Sequence, residues 1–81
     1  MSNIFADIKR VAEASFAESV DVLEVRQTAM SDEFVVLSRF RNRPAERAYF
    51  THKFSTTANS FYYGHYDMDI KAAAKSLMER A

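Results

Sequence analysis

The fold is decided by residues 34–41, which read Phe34-Val35-Val36-Leu37-Ser38-Arg39-Phe40-Arg41. β-Branched and aromatic side chains dominate this run, as they do in strands. A short connection separates it from an earlier alternating run, Val22–Thr28, which predicts the preceding antiparallel strand. Arg47–Phe54 and Ser60–Tyr66 have similar character and predict a third and a fourth strand, with a turn around Pro44 before the third.

Helices flank this set of strands. Asn3 can cap an N-terminal helix whose apolar side chains, from Ile4 to Ser15, recur at helical spacing. Asp67 can cap a C-terminal helix with one apolar stripe between Ile70 and Ala81. Each helix has a single stripe to bury. The sequence therefore predicts an α+β fold: a two-layer sandwich of helix, three or four antiparallel strands and helix, with both helices on one face of the sheet.

Length and composition restrict the class of protein. The 81 residues, 48% hydrophobic with one Gly and one Pro, correspond to one domain spanning residues 1–81. The absence of Cys excludes disulfides, thiolate catalysis and cysteine-ligated metals. The chain has no signal-like N-terminus and no apolar run approaching the roughly 20 residues of a membrane span, so we expect a cytoplasmic protein without a membrane partner.

Charge is distributed unevenly although its sum is zero. Residues 1–33 carry seven acidic and three basic side chains, a net charge of −4. Residues 34–53 carry five basic side chains and one acidic, a net charge of +4. This local field predicts an acidic partner for the middle of the chain, either phosphate or a carboxylate-rich protein surface. The candidate partner-binding residues are Arg39, Phe40, Arg41, Arg43, Arg47, Tyr49 and Lys53.

The strand register decides which of these side chains stay exposed. We favour a register that lays Leu23 and Val25 beside Leu37 and Val35. Such a register leaves an open face that mixes rings and cations: Arg26, Phe40, Arg47, Tyr49 and Lys53, which Tyr62 and Tyr66 could join. This face could stack bases and neutralise phosphates, so nucleic acid binding is an alternative function. A second copy of the chain could also cover it, so a homodimer is possible.

The arginines allow two interpretations. Arg39, Arg41 and Arg43 alternate along the predicted second strand, so their side chains would point the same way and end at the Pro44 turn. Three guanidinium groups at a hairpin tip suit the capture of carboxylates or phosphates. The alternative is internal pairing with acidic residues of the first helix, namely Asp7, Glu13 or Glu18.

Signals for metal binding and catalysis are weak. His52 and His65 are the only histidines and have no defined third ligand, so we expect neither a metal site nor a cofactor. A chain with one glycine has no Gly-x-Ser-x-Gly elbow and no phosphate-binding loop, so we expect no enzymatic activity. That glycine, Gly64, is expected to mark a bulge or a close backbone approach in the aromatic strand.

The closing segment reads Phe61-Tyr62-Tyr63-Gly64-His65-Tyr66-Asp67-Met68-Asp69-Ile70-Lys71-Ala72-Ala73-Ala74-Lys75. Its aromatic strand and capped helix resemble those of small proteins encoded by phages and mobile elements. The small size, lack of cysteine and helix–sheet–helix order are similar to those of anti-CRISPR and antirestriction inhibitors.

This resemblance implies a non-enzymatic protein of the host bacterial cytoplasm. Such a protein would bind a larger protein or ribonucleoprotein complex of bacterial defence and block its nucleic acid binding or nuclease recruitment. No functional residue carries over by position. Many such inhibitors are strongly acidic mimics of DNA, whereas this chain is neutral with a basic middle. We therefore expect an electrostatic contact between the basic segment and a complementary face of the partner.

Overall fold

The computed structural model describes residues 4–81. Its elements are α1 (Ile4–Ser15), β1 (Val20–Gln27), β2 (Glu33–Phe40), a 3-10 helix (Ala45–Arg47), β3 (Tyr49–Ser55), β4 (Ser60–Met68) and α2 (Ile70–Arg80). The four strands form one open antiparallel sheet in the order β1-β2-β3-β4. The predicted α+β fold of helix, antiparallel strands and helix is confirmed, with four strands. The predicted Asn3 cap lies outside the described residues.

The two helices cover opposite faces of the sheet, so the prediction that both lie on one face is wrong. Ile8 of α1 belongs to a buried cluster with Val36, whereas Ala73 of α2 belongs to one with Val35. Successive side chains of a strand point to opposite faces. The molecule is therefore a three-layer sandwich of helix, sheet and helix, with an α1 face and an α2 face.

The centre of β2 explains this arrangement. Val35, Val36 and Leu37 are consecutive, and each is at most 6% exposed. An uninterrupted apolar run of this kind is typical of a strand that is covered on both sides, whereas a strand with one wet face alternates. Each helix supplies one of the two covers.

A β-bulge at Leu23 shifts the pairing of β1 with β2 by one residue. Val25 consequently lies opposite Val36, on the α1 face, and Leu23 is 44% exposed. The predicted register, which laid Leu23 and Val25 beside Leu37 and Val35, is wrong. One extra residue is enough to exchange the faces, because side chains in a strand alternate.

The N-terminus of α2 also differs from the prediction. Asp69 caps the helix, because its Oδ1 accepts a hydrogen bond of 2.8 Å from the backbone N–H of Ala72. Asp67, the predicted cap, instead lies within β4 with a φ of 60°. Its side chain does not cap α2 but approaches Arg43, with Oδ1 3.5 Å from Arg43 Nη1.

Aromatic rings fill the α1 face. Phe40 and Phe50 stack with ring centroids 4.4 Å apart, and Phe16 of the segment after α1 meets both rings edge-on. Gly64 allows Tyr66 to lie against this layer, because a Cβ at position 64 would overlap the Tyr66 ring. The expected close approach at Gly64 is confirmed. Neither helix among the described residues is long and apolar enough to cross a membrane.

Candidate partner-binding site

The structure brings four of the predicted site residues to one end of the sheet. Arg39 is the last residue but one of β2, Arg41 and Arg43 follow the strand, and Arg47 is the last residue of the 3-10 helix before β3. We call this region the arginine end. The fifth cation, Lys53, lies further along β3, opposite Tyr62 of β4.

The predicted row of three arginines along one strand is wrong, since β2 ends at Phe40. Arg41 pairs with Asp21 of β1, with its Nη2 2.6 Å from Oδ1 and its Nε 3.3 Å from Oδ2. This bidentate hydrogen bond lowers the pKa of the Asp21 carboxyl and raises that of Arg41. Twenty positions separate the two residues, so no local spacing signals the pair.

Arg43 is held from three sides. Its Nε donates to Glu18 Oε1 at 3.0 Å and its Nη2 donates to Glu18 Oε2, which lowers the pKa of that carboxyl. The guanidinium carbon lies 4.0 Å from the centroid of the Phe40 ring, a cation–π contact. Its Nη1 lies 3.5 Å from Asp67 Oδ1. Internal pairing with Glu18 was one of the two sequence interpretations, although Glu18 follows α1 rather than lying in it.

Lys53 also has an internal partner. Its Nζ lies 3.5 Å from Glu33 Oε1, and the Tyr62 hydroxyl donates to Glu33 Oε2 at 2.6 Å. The hydrogen bond to Glu33 and burial together raise the pKa of Tyr62 to about 12, while the same hydrogen bond lowers the pKa of Glu33. Three of the five cations of residues 34–53 thus pair with acidic residues of the first 33.

Arg39 and Arg47 differ from these three cations. Neither side chain makes a hydrogen bond or an ion pair within residues 4–81. Arg39 is half-buried beside Tyr49 of β3, and Arg47 is exposed. The local positive charge that the sequence predicts therefore remains on these two residues.

The predicted open face of rings and cations does not form. Arg26, Tyr49, Lys53 and Tyr62 do share a face, but α2 packs on it, and Tyr49 is half-buried in the cluster around Ala73. Phe40 is 5% exposed on the other face, in the aromatic layer. The rings predicted to stack bases are therefore divided between the two sides of the sheet, with Tyr49 and Tyr62 on the α2 face and Phe40 and Tyr66 on the α1 face.

The histidines are separated by the sheet. His52 is 1% exposed and lies on the α1 face, where it stacks on Phe61 at 3.9 Å and approaches Ser38 Oγ at 3.2 Å through Nε2. Its Nδ1 has no hydrogen-bond partner. Burial, aided by the charge of Arg80, lowers the pKa of His52 to about 3. Residues 4–81 contain no group of three or more acidic or histidine side chains that could hold a metal ion.

A cleft opens beside the unpaired Arg47. It has a volume of about 290 Å³ and is lined by Arg43, Pro44, Arg47 and Asp67. A second cleft of about 340 Å³ lies between the end of α1 and β1, and Glu13, Phe16, Glu18 and Arg41 are among its lining residues. Sequence reasoning missed Asp21 and Asp67 as site residues, because only folding brings them to the arginines. No protein family model, curated protein or solved structure matches the chain.

Proposed function

We propose that the protein is a non-enzymatic inhibitor of the anti-CRISPR type, encoded by a phage, that binds a bacterial defence complex through the arginine end. Binding would block the nucleic acid site of that complex or the recruitment of its nuclease. The observation that carries the proposal is that the side chains of Arg39 and Arg47 make no hydrogen bond or ion pair within the described chain, whereas Arg41 and Arg43 are each bound to a carboxylate.

Two further features support a protein partner. Tyr66 and Ile70, at the same end of the sheet, are 45% and 47% exposed. Arginine and tyrosine are common energetic centres of protein interfaces, where a ring and a planar cation bury surface together. The braced Arg43 and the packed aromatic layer below it would hold this surface rigid before binding, which reduces the entropic cost of association.

Direct binding of nucleic acid is less well supported. It depends on an open aromatic face, and α2 covers that face while Phe40 is buried. The same cover removes the reason for expecting a second copy of the chain there. The cations of the arginine end remain available to phosphate, so nucleic acid binding is an outcome that the experiments must be able to reveal.

The test is inhibition of bacterial defence in cells. The wild-type chain is expressed in bacteria that carry single defined CRISPR or restriction systems, and the plating efficiency of a targeted phage is measured. We expect restored plating with at least one system. The variant Arg39→Glu/Arg47→Glu should lose this effect, because it reverses the charge of both unpaired arginines.

A matched control reverses two positive charges at positions outside the arginine end. Lys9 and Lys75 are exposed on the two helices, so Lys9→Glu/Lys75→Glu should inhibit like the wild type. Circular dichroism establishes that each variant is folded. Equal inhibition by Arg39→Glu/Arg47→Glu, or no inhibition of any system by the wild type, contradicts the proposal.

A further inference from the structure

The cleft beside Arg47 has the size of a side-chain pocket. Its volume of about 290 Å³ lies at the lower limit of the roughly 300–1,000 Å³ that small-molecule sites occupy. Two of its four lining residues are arginines, and the side chain of one of these, Arg47, makes no hydrogen bond or ion pair with any other residue of 4–81. The cleft therefore suits one negatively charged side chain better than a cofactor.

Arg43 presents one incompletely used donor group to this cleft. Its Nε and Nη2 are bound to Glu18 and its face lies on Phe40, so the guanidinium cannot turn without losing these contacts. The remaining nitrogen, Nη1, faces Asp67 Oδ1 at 3.5 Å. A charge-assisted hydrogen bond is normally about 2.7–2.9 Å long, so Asp67 is held loosely.

Asp67 reaches the cleft through an unusual backbone conformation. Its φ is 60°, in the left-handed region that Asp, Asn and Gly adopt more readily than other residues. Its side chain is 70% exposed. A carboxylate thus occupies the cleft without a close hydrogen bond and can leave it for water.

We infer that the Arg43–Arg47 cleft receives a carboxylate side chain of the protein partner, and that Asp67 holds its place in the free protein. On binding, the partner's carboxylate takes the position between Arg43 Nη1 and the Arg47 guanidinium, and Asp67 turns out to solvent. The inference rests on the proposed function, for which it names the chemical group that the arginine end recognises.

A carboxylate is favoured over a phosphate for two reasons. The group that lies beside Arg43 Nη1 in the free chain is itself a carboxylate, that of Asp67. A nucleic acid strand also needs a row of available cations, whereas two of the four arginines here are paired with carboxylates, and the Phe40 ring lies beneath the Arg43 guanidinium.

The test uses fluorescently labelled hexaglutamate as the probe and measures its dissociation constant by anisotropy at low salt. The variants are Asp67→Asn, Arg47→Gln and Glu46→Gln. Asn accepts a φ of 60°, so Asp67→Asn keeps the backbone, and Asp67→Gly provides a second variant for the same position. Glu46 is an exposed neighbour of Arg47 that does not line the cleft, so Glu46→Gln removes the same charge from outside it.

Asp67→Asn and Glu46→Gln each remove one negative charge, but we expect them to differ in their effect on peptide binding. Asp67→Asn should tighten binding by about two- to fivefold, the range of a single exposed ion pair, and Arg47→Gln should weaken it by a similar factor. Glu46→Gln should stay close to the wild type. Addition of the peptide should shift the Nε–Hε resonances of Arg47 in the NMR spectrum and leave those of Arg26 unchanged.

Three outcomes overturn the inference. Equal tightening by Asp67→Asn and Glu46→Gln shows a general effect of charge, and unchanged binding by Arg47→Gln shows that the peptide binds elsewhere. Displacement of the peptide by oligothymidylate at lower concentration assigns the cleft to phosphate. These results are independent of the phage assay: inhibition without this pattern refutes the cleft alone, and the pattern without inhibition refutes the proposed function alone.

Discussion

The aromatic layer under α1 and the arginine end meet at Phe40, and they differ in almost every physical respect. The layer is dry, and most of its rings contact each other at 3.9–5.7 Å. The arginine end is wet and charged, and its ion pairs join exposed or half-exposed side chains. Burial of apolar area is the main source of stability, while exposed ion pairs contribute little. The layer should therefore hold the fold, and the arginine end should bind the partner.

The largest effect is expected in the layer, from Phe50→Ala. Phe50 is fully buried and contacts Phe16, Phe40, His52 and Tyr66. The lost contacts and the cavity should reduce the free energy of unfolding by about 3–5 kcal/mol, a large part of the total for so small a domain. Urea denaturation measures this loss. The control Met78→Ala truncates a side chain that is 66% exposed and should change stability by less than about 0.5 kcal/mol.

The second effect is a loss of stability in mild acid through His52. Its pKa is about 3 in the fold against an ordinary value of 6.5. Between these values the unfolded chain binds the proton and the folded chain does not, so stability is complete above pH 6.5 and falls as the pH drops. We expect a loss of about 2 kcal/mol between pH 7 and pH 5, measured from urea midpoints.

His52→Phe should remove most of this pH dependence, because the ring then has no proton to gain. His65→Gln is the matched control: His65 is exposed, so that variant should keep the wild-type slope. A His52→Phe protein with an unchanged slope between pH 7 and pH 5 would assign the acid sensitivity to other groups and place His52 outside the dry layer.

The third effect, at the border of the two regions, concerns Gly64. A Cβ in Gly64→Ala would overlap the Tyr66 ring, which must then leave its stack on Phe50. We expect a loss of about 1 kcal/mol, at the low end for overpacking, since the ring can swing out. The loss should vanish in a Tyr66→Ala background. A double-mutant cycle measures this coupling, and a loss that persists without the Tyr66 ring contradicts the packing explanation.

The predictability of the fold from sequence also differs between regions. The order of helices and strands follows from local periodicity, which is a property of neighbouring residues. The register was missed because Val22-Leu23 precedes Glu24 with two apolar residues in a row, so either could face the core, and only the bulge decides. The presence of a helix on each face was indicated by the unbroken apolar run Val35-Val36-Leu37, because a strand with such a run needs a cover on both of its faces.

The site was predictable in composition but not in pairing. Charge counting finds all four arginines of the arginine end. It cannot separate Arg41 and Arg43 from Arg39 and Arg47, because the distinguishing carboxylates of Asp21 and Glu18 are 20 and 25 positions away. These pairs depend on how β1 lies against β2. The aromatic residues Phe40 and Tyr49 were assigned to one face because that pairing was unknown.

The smallest effect on stability is expected at the arginines themselves. Arg41→Gln/Arg43→Gln removes the partners that lower the pKa values of Asp21 and Glu18. That contribution is present above the ordinary carboxyl pKa and disappears as the pH falls through the lowered values. The variant should therefore be slightly less stable than the wild type at pH 7, and the difference should shrink in acid to what the lost contact of Arg43 with Phe40 leaves. Added salt should also narrow the difference. Urea titrations at both pH values test this, and a difference that grows in acid contradicts the assignment.

The most direct test of whether the unpaired arginines, rather than the internally paired cations, bind the partner compares two double variants of equal charge. Arg39→Gln/Arg47→Gln and Arg41→Gln/Lys53→Gln are each measured for urea stability and for inhibition of the defence system that the wild type blocks. Arg41 and Lys53 pair with Asp21 and Glu33, and neither lines the Arg43–Arg47 cleft. We expect the first pair to keep wild-type stability and lose inhibition, and the second pair to be slightly destabilised and still inhibit. Loss of inhibition in the second pair with retention in the first would contradict this expectation.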